Sequence, residues 1–165
     1  MDFNPYLNVI KEQTCRALIN LENALDCVSN DECWFFEFDE NPIWKHVYHT
    51  LHSLDQWFIN PNIYTEPDFH EHDLNNLFVA VSTNKNLSCE DMKHYFRNIK
   101  TKIEKYLESL SDNDLLQRPE KCSSDRLSLI IGQHRHLHCH IGTLIAISVI
   151  KNGVWPKIIG MDISL

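Results

Sequence analysis

The last long segment of the chain constrains the fold most. From Ser124-Asp125 to Asn152-Gly153 it holds no proline and is apolar nearly all round, through Leu129, Ile130, Ile131, Leu137, Ile141, Leu144, Ile145, Ile147 and Val149. Such a run predicts one helix that ends at Asn152-Gly153, where glycine accepts the left-handed terminating conformation. A helix greasy on every side must be wrapped by others, so this one is expected to be the most buried.

Three further stretches carry apolar residues at helical spacing. The first runs from Pro5, behind Asn4, to about Val28, with Ile10, Ala17, Leu18, Leu21 and Leu25 on one face. A proline just inside a helix start fits its missing N–H. The second opens at Asn41-Pro42 and runs to about Ile59 through Trp44, Val47, Leu51, Leu54 and Phe58, and Asn60-Pro61 stops it. The third is capped by Ser88, with Glu90 and Asp91 in its first turn, and continues through Met92, Phe96, Ile99, Ile103, Tyr106 and Leu110. Acidic residues suit the positive end of a helix dipole.

Between the second and third lies a connection of roughly residues 60–87, in which Leu77–Val81 reads as a short helix or strand. The expectation is an all-α chain: a single domain over residues 1–165, a four-helix bundle with a long crossover between the second and third helices. The tail around Trp155-Pro156 is expected to pack back over the bundle end. With only 4 Gly and 6 Pro in 165 residues, a turn-rich sandwich or barrel is excluded.

Charge narrows the partners. Residues 1–80 hold 14 acids against 3 bases, residues 81–165 hold 9 against 12, and the formal net charge is −8. Phosphate contact dominates nucleic-acid affinity, so no nucleic-acid partner is expected, and Lys93, Arg97 and Lys100 read as a solvated face. No apolar run reaches membrane-span length, and no secretion signal is visible at Met1-Asp2-Phe3-Asn4-Pro5. Six cysteines without a Cys-x-x-Cys motif read as reduced thiols of a cytoplasmic protein.

The chemistry sits in the histidines. Four of the ten fall within seven residues of the last helix, as two overlapping i,i+4 pairs, His134/His138 and His136/His140. Each pair shares a helix face, and an i,i+4 pair brings two imidazoles close enough for one metal ion. A third ligand is expected from the second helix, which carries His46, His49 and His52. On a helical wheel His46 lies nearer the apolar stripe, so burial alone favours it. Cys139 is a further possible ligand inside the cluster. His52, His70, His72 and His94 read as surface or loop residues, and Asp55 as a candidate general base.

The segment Arg135-His136-Leu137-His138-Cys139-His140-Ile141-Gly142-Thr143-Leu144 resembles the His-x-x-x-His-x-Gly signature of the DinB/YfiT-like family. Tyr48-His49-Thr50-Leu51, with Trp57 eight residues after the histidine, resembles that family's second-helix ligand motif. The resemblance implies an up-up-down-down-like four-helix bundle, commonly a homodimer, with three histidines around a divalent metal ion. Residue by residue it selects His49, His136 and His140, with Gly142 at the family's glycine position. Cys139 and Thr143 stand where His and Gln are more usual, and His46, His134 and His138 fall to the surroundings of the metal.

Three neutral imidazoles leave a divalent ion its full charge and an open position, which suits catalysis better than a closed structural site. Zinc, nickel and ferrous iron all accept imidazole. The chemistry expected is hydrolysis, or attack by a small thiol, on a small-molecule substrate. The alternative is a metal-binding or stress-related interaction protein without turnover.

Overall fold

The computed structural model describes residues 4–81 and 86–160, and these are mostly helical. In chain order come α1 (Pro5–Cys27), α2 (Asp31–Trp34), the two-stranded antiparallel hairpin β1 (Glu37–Phe38) and β2 (Asn41–Pro42), α3 (Ile43–Trp57), α4 (Cys89–Glu108), α5 (Asp112–Leu115) and α6 (Arg126–Asn152). Among the long helices, α6 packs on α1 and α3, and α4 packs on the same two. Their apolar stripes fuse into one core. It takes Leu18, Leu21 and Leu25 from α1, Val47, Leu51 and Leu54 from α3, Phe96, Ile99 and Ile103 from α4, and Ile130, Leu137, Ile141 and Leu144 from α6. Among the described residues no helix is long and apolar enough to cross a membrane.

The helix ends follow local chemistry. Ser88 Oγ accepts the Asp91 amide at 3.1 Å to start α4. Asp125 Oδ1 accepts the Ser128 amide at 2.7 Å to start α6, and Gly153 closes it at φ 66°. Asn4 does not cap its own helix. It accepts the Asp112 amide at 2.9 Å, while the Asp112 carboxylate accepts the amides of Leu7 at 2.7 Å and Tyr6 at 3.2 Å. The first turn of α1 is thus capped from α5.

The most buried long helix is α3, not α6. Ten of the fifteen α3 residues are buried, Lys45, His46 and His52 among them, against eight of twenty-seven in α6. Ile131 and Ile150 of α6 face outward at 46% and 73% exposure. The reason is coverage: the hairpin and the segment before α4 close over the side of α3 that the other long helices leave open. Asp39 and Glu40, both with positive φ, make the two-residue turn that aligns the hairpin. Phe38 of β1 then brings its carbonyl to 2.8 Å from His46 Nε2.

The connecting segment is tied down by side chains. Asn41 Nδ2 donates to Leu77 O at 2.8 Å, Lys45 Nζ to Val79 O, Trp34 Nε1 to Leu87 O at 2.9 Å and Asn60 Nδ2 to Glu120 O at 3.0 Å. Leu77–Val81 is neither helix nor strand: it runs through a turn and a bend, and its carbonyls at 77 and 79 are taken by side chains. The tail runs along α1, where Asn20 and Ile159 exchange hydrogen bonds of 2.6 and 3.3 Å and Asn23 donates to Lys157 O at 2.6 Å. Pro156 is buried there, but Trp155 is 73% exposed. All six cysteines are free thiols.

The core analysis sets a stability expectation. Phe96→Ala, at 1% exposure, should lower the unfolding free energy by about 3–5 kcal/mol. Ile150→Ala, at 73% exposure, should change it by less than ~0.5 kcal/mol. Urea denaturation of both variants checks the contrast.

Candidate metal centre

Packing of α3 against α6 brings His49 to the paired His136 and His140. His49 Nε2 lies 3.2 Å from His136 Nε2, and His140 Nε2 lies 3.1 Å from His136 Nε2. The three rings stand 4.5–5.2 Å apart between centroids and are half-buried. Three nitrogens at ~2.0–2.1 Å from one tetrahedral ion stand about 3.3–3.4 Å apart, close to the two Nε2 separations from His136.

The proton inventory favours a cation. His49 Nδ1 is 2.7 Å from the Asn75 carbonyl, which only accepts, so Nδ1 carries the proton and the lone pair sits on Nε2. His136 Nε2 faces that lone pair and also His140 Nε2. One proton on His136 would satisfy one of the two contacts, and it would leave His136 Nδ1, buried and without a partner, as a bare acceptor. With Nε2 lone pairs on all three rings, the inward-facing electron pairs need an electrophile. Protonation is a poor remedy, because burial lowers the pKa of His49, His136 and His140, and the neighbouring imidazoles lower it further, His140 to about 3. The donor set therefore fits a divalent metal ion, which uses the lone pairs without protonating any ring.

The other sequence candidates fall elsewhere. His46 is the more buried of the two α3 candidates, at 4% exposure, but its Nε2 is engaged by Phe38 O. His134 Nε2 is 2.9 Å from Thr14 Oγ1 on α1, and that hydroxyl already donates to Ile10 O, so the imidazole is the donor. His138 is exposed and its Nδ1 sits on the His134 carbonyl at 2.7 Å. Cys139 is exposed too, outside the three-imidazole group. Asp55 pairs with Lys102 at 2.6 Å and accepts from Tyr95 at 3.0 Å on α4, which commits its carboxylate to those two groups. A Cβ added at Gly142 would meet nothing within 4 Å, so packing does not demand glycine there.

Sequence reading missed two features. Asn75, in the connecting segment, orients His49 through its backbone carbonyl, and no side-chain pattern announces that. His52 and His70, expected at the surface or in a loop, gather with Glu66 into a second group whose ligand atoms lie within 4.8 Å of one another. His52 is 1% exposed. The available signal was spacing: His52 follows His49 by three residues on one helix, and Glu66 precedes His70 by four.

Burial of these rings has a pH consequence. An unfolded imidazole takes up its proton near 6.5, whereas His134 does so in the fold at about 4 and His140 at about 3. The unfolded state therefore binds more protons over that interval, and metal-free protein should lose stability steadily as pH falls from about 7 to 4. His134→Gln should flatten part of this slope, as read from denaturation midpoints across that range; an unchanged slope would count against the burial of His134. Comparison of the chain with protein-family models, curated proteins and solved structures finds no match.

Proposed function

We propose that this chain is a divalent-metal-dependent enzyme of the DinB/YfiT-like class, a hydrolase or thiol S-transferase acting on a small molecule, with His49, His136 and His140 as the metal ligands. One observation carries the reading: His49 Nε2 and His140 Nε2 stand 3.2 and 3.1 Å from His136 Nε2, and the Asn75 carbonyl keeps the His49 proton on Nδ1 so that its Nε2 lone pair faces the group. Zinc, nickel and ferrous iron are the ions whose preferences fit an all-imidazole set. Bound there, such an ion supplies Lewis acidity at neutral pH, for generating a hydroxide or thiolate nucleophile. The chain's own part is to hold three uncharged donors, to keep the His49 proton on Nδ1 through Asn75, and to leave the ion's remaining position open.

The same reading takes α1, α3, α4 and α6 as a four-helix bundle, with residues 58–88 as its crossover. It also takes the working form as a homodimer. In favour of a dimer, the outward face of α6 carries the small residues Ser128, Cys139, Gly142 and Ala146, with the long side chain of Arg135 among them.

A non-catalytic metal-binding role is the second reading. The observation in its favour is Asp55: this candidate base is held by Lys102 and Tyr95.

Metal-loaded wild type should be stabilised by about 2.7 kcal/mol at an ion concentration one hundred times Kd. His136→Ala should lose that stabilisation and stoichiometric metal binding together. Turnover of model esters or of thiol–electrophile pairs should fall at least about a hundredfold in that variant, roughly the effect of losing a catalytic electrostatic contact. Metal binding with no turnover in wild type would establish the second reading, and an unchanged melting temperature on chelation would overturn the first.

A further inference from the structure

We propose that His52, Glu66 and His70 form a second divalent-cation site, separate from the three-imidazole centre and chemically unlike it. His52 Nε2 lies 2.6 Å from Glu66 Oε2, and His70 Nδ1 lies 3.7 Å from the same oxygen. The two imidazoles stack at 5.1 Å with 28° between their planes. Among the described residues Glu66 meets histidine and tyrosine, His52, His70 and Tyr64, and no lysine or arginine. Its negative charge is therefore not neutralised by a fixed cation among the described residues.

The outer nitrogen of His52 is provided for as a metal-ligating histidine requires, with a group that can accept its remaining N–H. Asn75 Nδ2 sits 3.3 Å from His52 Nδ1. A half-turn of that amide exchanges donor for acceptor at the same position, so Nδ1 keeps the proton and Nε2 offers its lone pair. At His70, Nδ1 is the ring atom that faces Glu66, and the Tyr48 hydroxyl 2.6 Å away can donate to it while no ion is bound, so an ion would take that lone pair in the hydroxyl's place. Asn75 thereby serves both centres, through its carbonyl at His49 and through its side chain at His52.

Filling the site requires the His52–Glu66 contact to open from 2.6 Å to about 3.0–3.5 Å, the separation of two donors each ~2.0–2.2 Å from one ion. Glu66 can make that shift, because its side chain is 44% exposed and lies outside any helix. Two imidazoles and one carboxylate offer a net charge of −1, against zero for the three-imidazole set. This site thus accepts ions that favour oxygen, such as manganese and ferrous iron, as well as zinc. Its existence does not depend on the first centre being filled.

Titration of metal-free full-length protein with zinc ion, followed by competition with a chromophoric chelator, counts the sites directly. Wild type should bind two ions. Glu66→Gln, which keeps a carbonyl acceptor for His52, should bind one, with the second at least tenfold weaker, and His70→Ala should do the same. His140→Ala should also bind one, and the His140→Ala/Glu66→Gln double variant none. A single ion in wild type, lost in His140→Ala and kept in Glu66→Gln, would overturn the second site and leave the first. An ion lost in Glu66→Gln but not in His140→Ala would support this site and overturn the three-imidazole reading. No bound ion in wild type would overturn both.

Discussion

Three imidazole lone pairs directed at one point are the constraint on which the site depends. Nitrogen atoms at 3.1–3.2 Å without enough protons between them repel, and desolvation blocks the simplest relief, which is to charge a ring. Such a group persists only where the backbone holds it. His136 and His140 are one turn apart on α6, so the helix itself fixes their spacing. His49 is fixed differently, by the seam between α3 and α6 and by the Asn75 carbonyl, which decides where its proton sits. Two candidate ligands are therefore local in sequence and rigid, and the third is imposed by tertiary packing.

That difference explains what could be read in advance. The long helices were visible because their core residues recur at three and four: Met92, Phe96, Ile99 and Ile103 mark α4, and Leu51 and Leu54 mark α3. The α6 ligand pair was visible for the same reason. Apolar composition misled about α6, since Ile131 and Ile150 point outward, and it did not register that Lys45, His46, Thr50 and His52 of α3 are buried beside its apolar stripe. Burial on a wheel also favoured His46 over His49. His46 is indeed the more buried, but a buried imidazole satisfied by Phe38 O has no lone pair to give. Burial selects histidines that are held; a half-buried one whose inner nitrogen is unsatisfied is the better ligand candidate.

The two histidine groups are satisfied by different means. Around His52 and His70 the carboxylate of Glu66 and the phenols of Tyr48 and Tyr64 supply acceptors and donors, so neutral imidazoles can rest there in hydrogen bonds. Around His136 no such oxygen stands, and its Nδ1 is orphaned. The three-imidazole group has the stronger demand for a cation, while the Glu66 group has the more attractive charge. Affinity and need are thus divided between two groups that each take one histidine from α3.

Asn41, Lys45, His49 and His52 follow at steps of four, four and three, and each places a polar atom against the connecting segment: on Leu77 O, Val79 O, Asn75 O and Asn75 Nδ2. Lys45, His49 and His52 form a polar stripe along α3, and Asn41 of β2 continues it. It seats the segment by giving the carbonyls of Asn75, Leu77 and Val79 side-chain partners. Lys45 shows the cost, since burial pushes its ammonium pKa down. Because the metal-ligand candidate His49 belongs to this stripe, the register of the connecting segment and the tautomer of His49 are one structural decision. A slip that moved Asn75 off His49 would free Nδ1 to lose its proton to Nε2 and turn an N–H, not a lone pair, toward His136. The segment therefore contributes to the site without supplying a ligand to it.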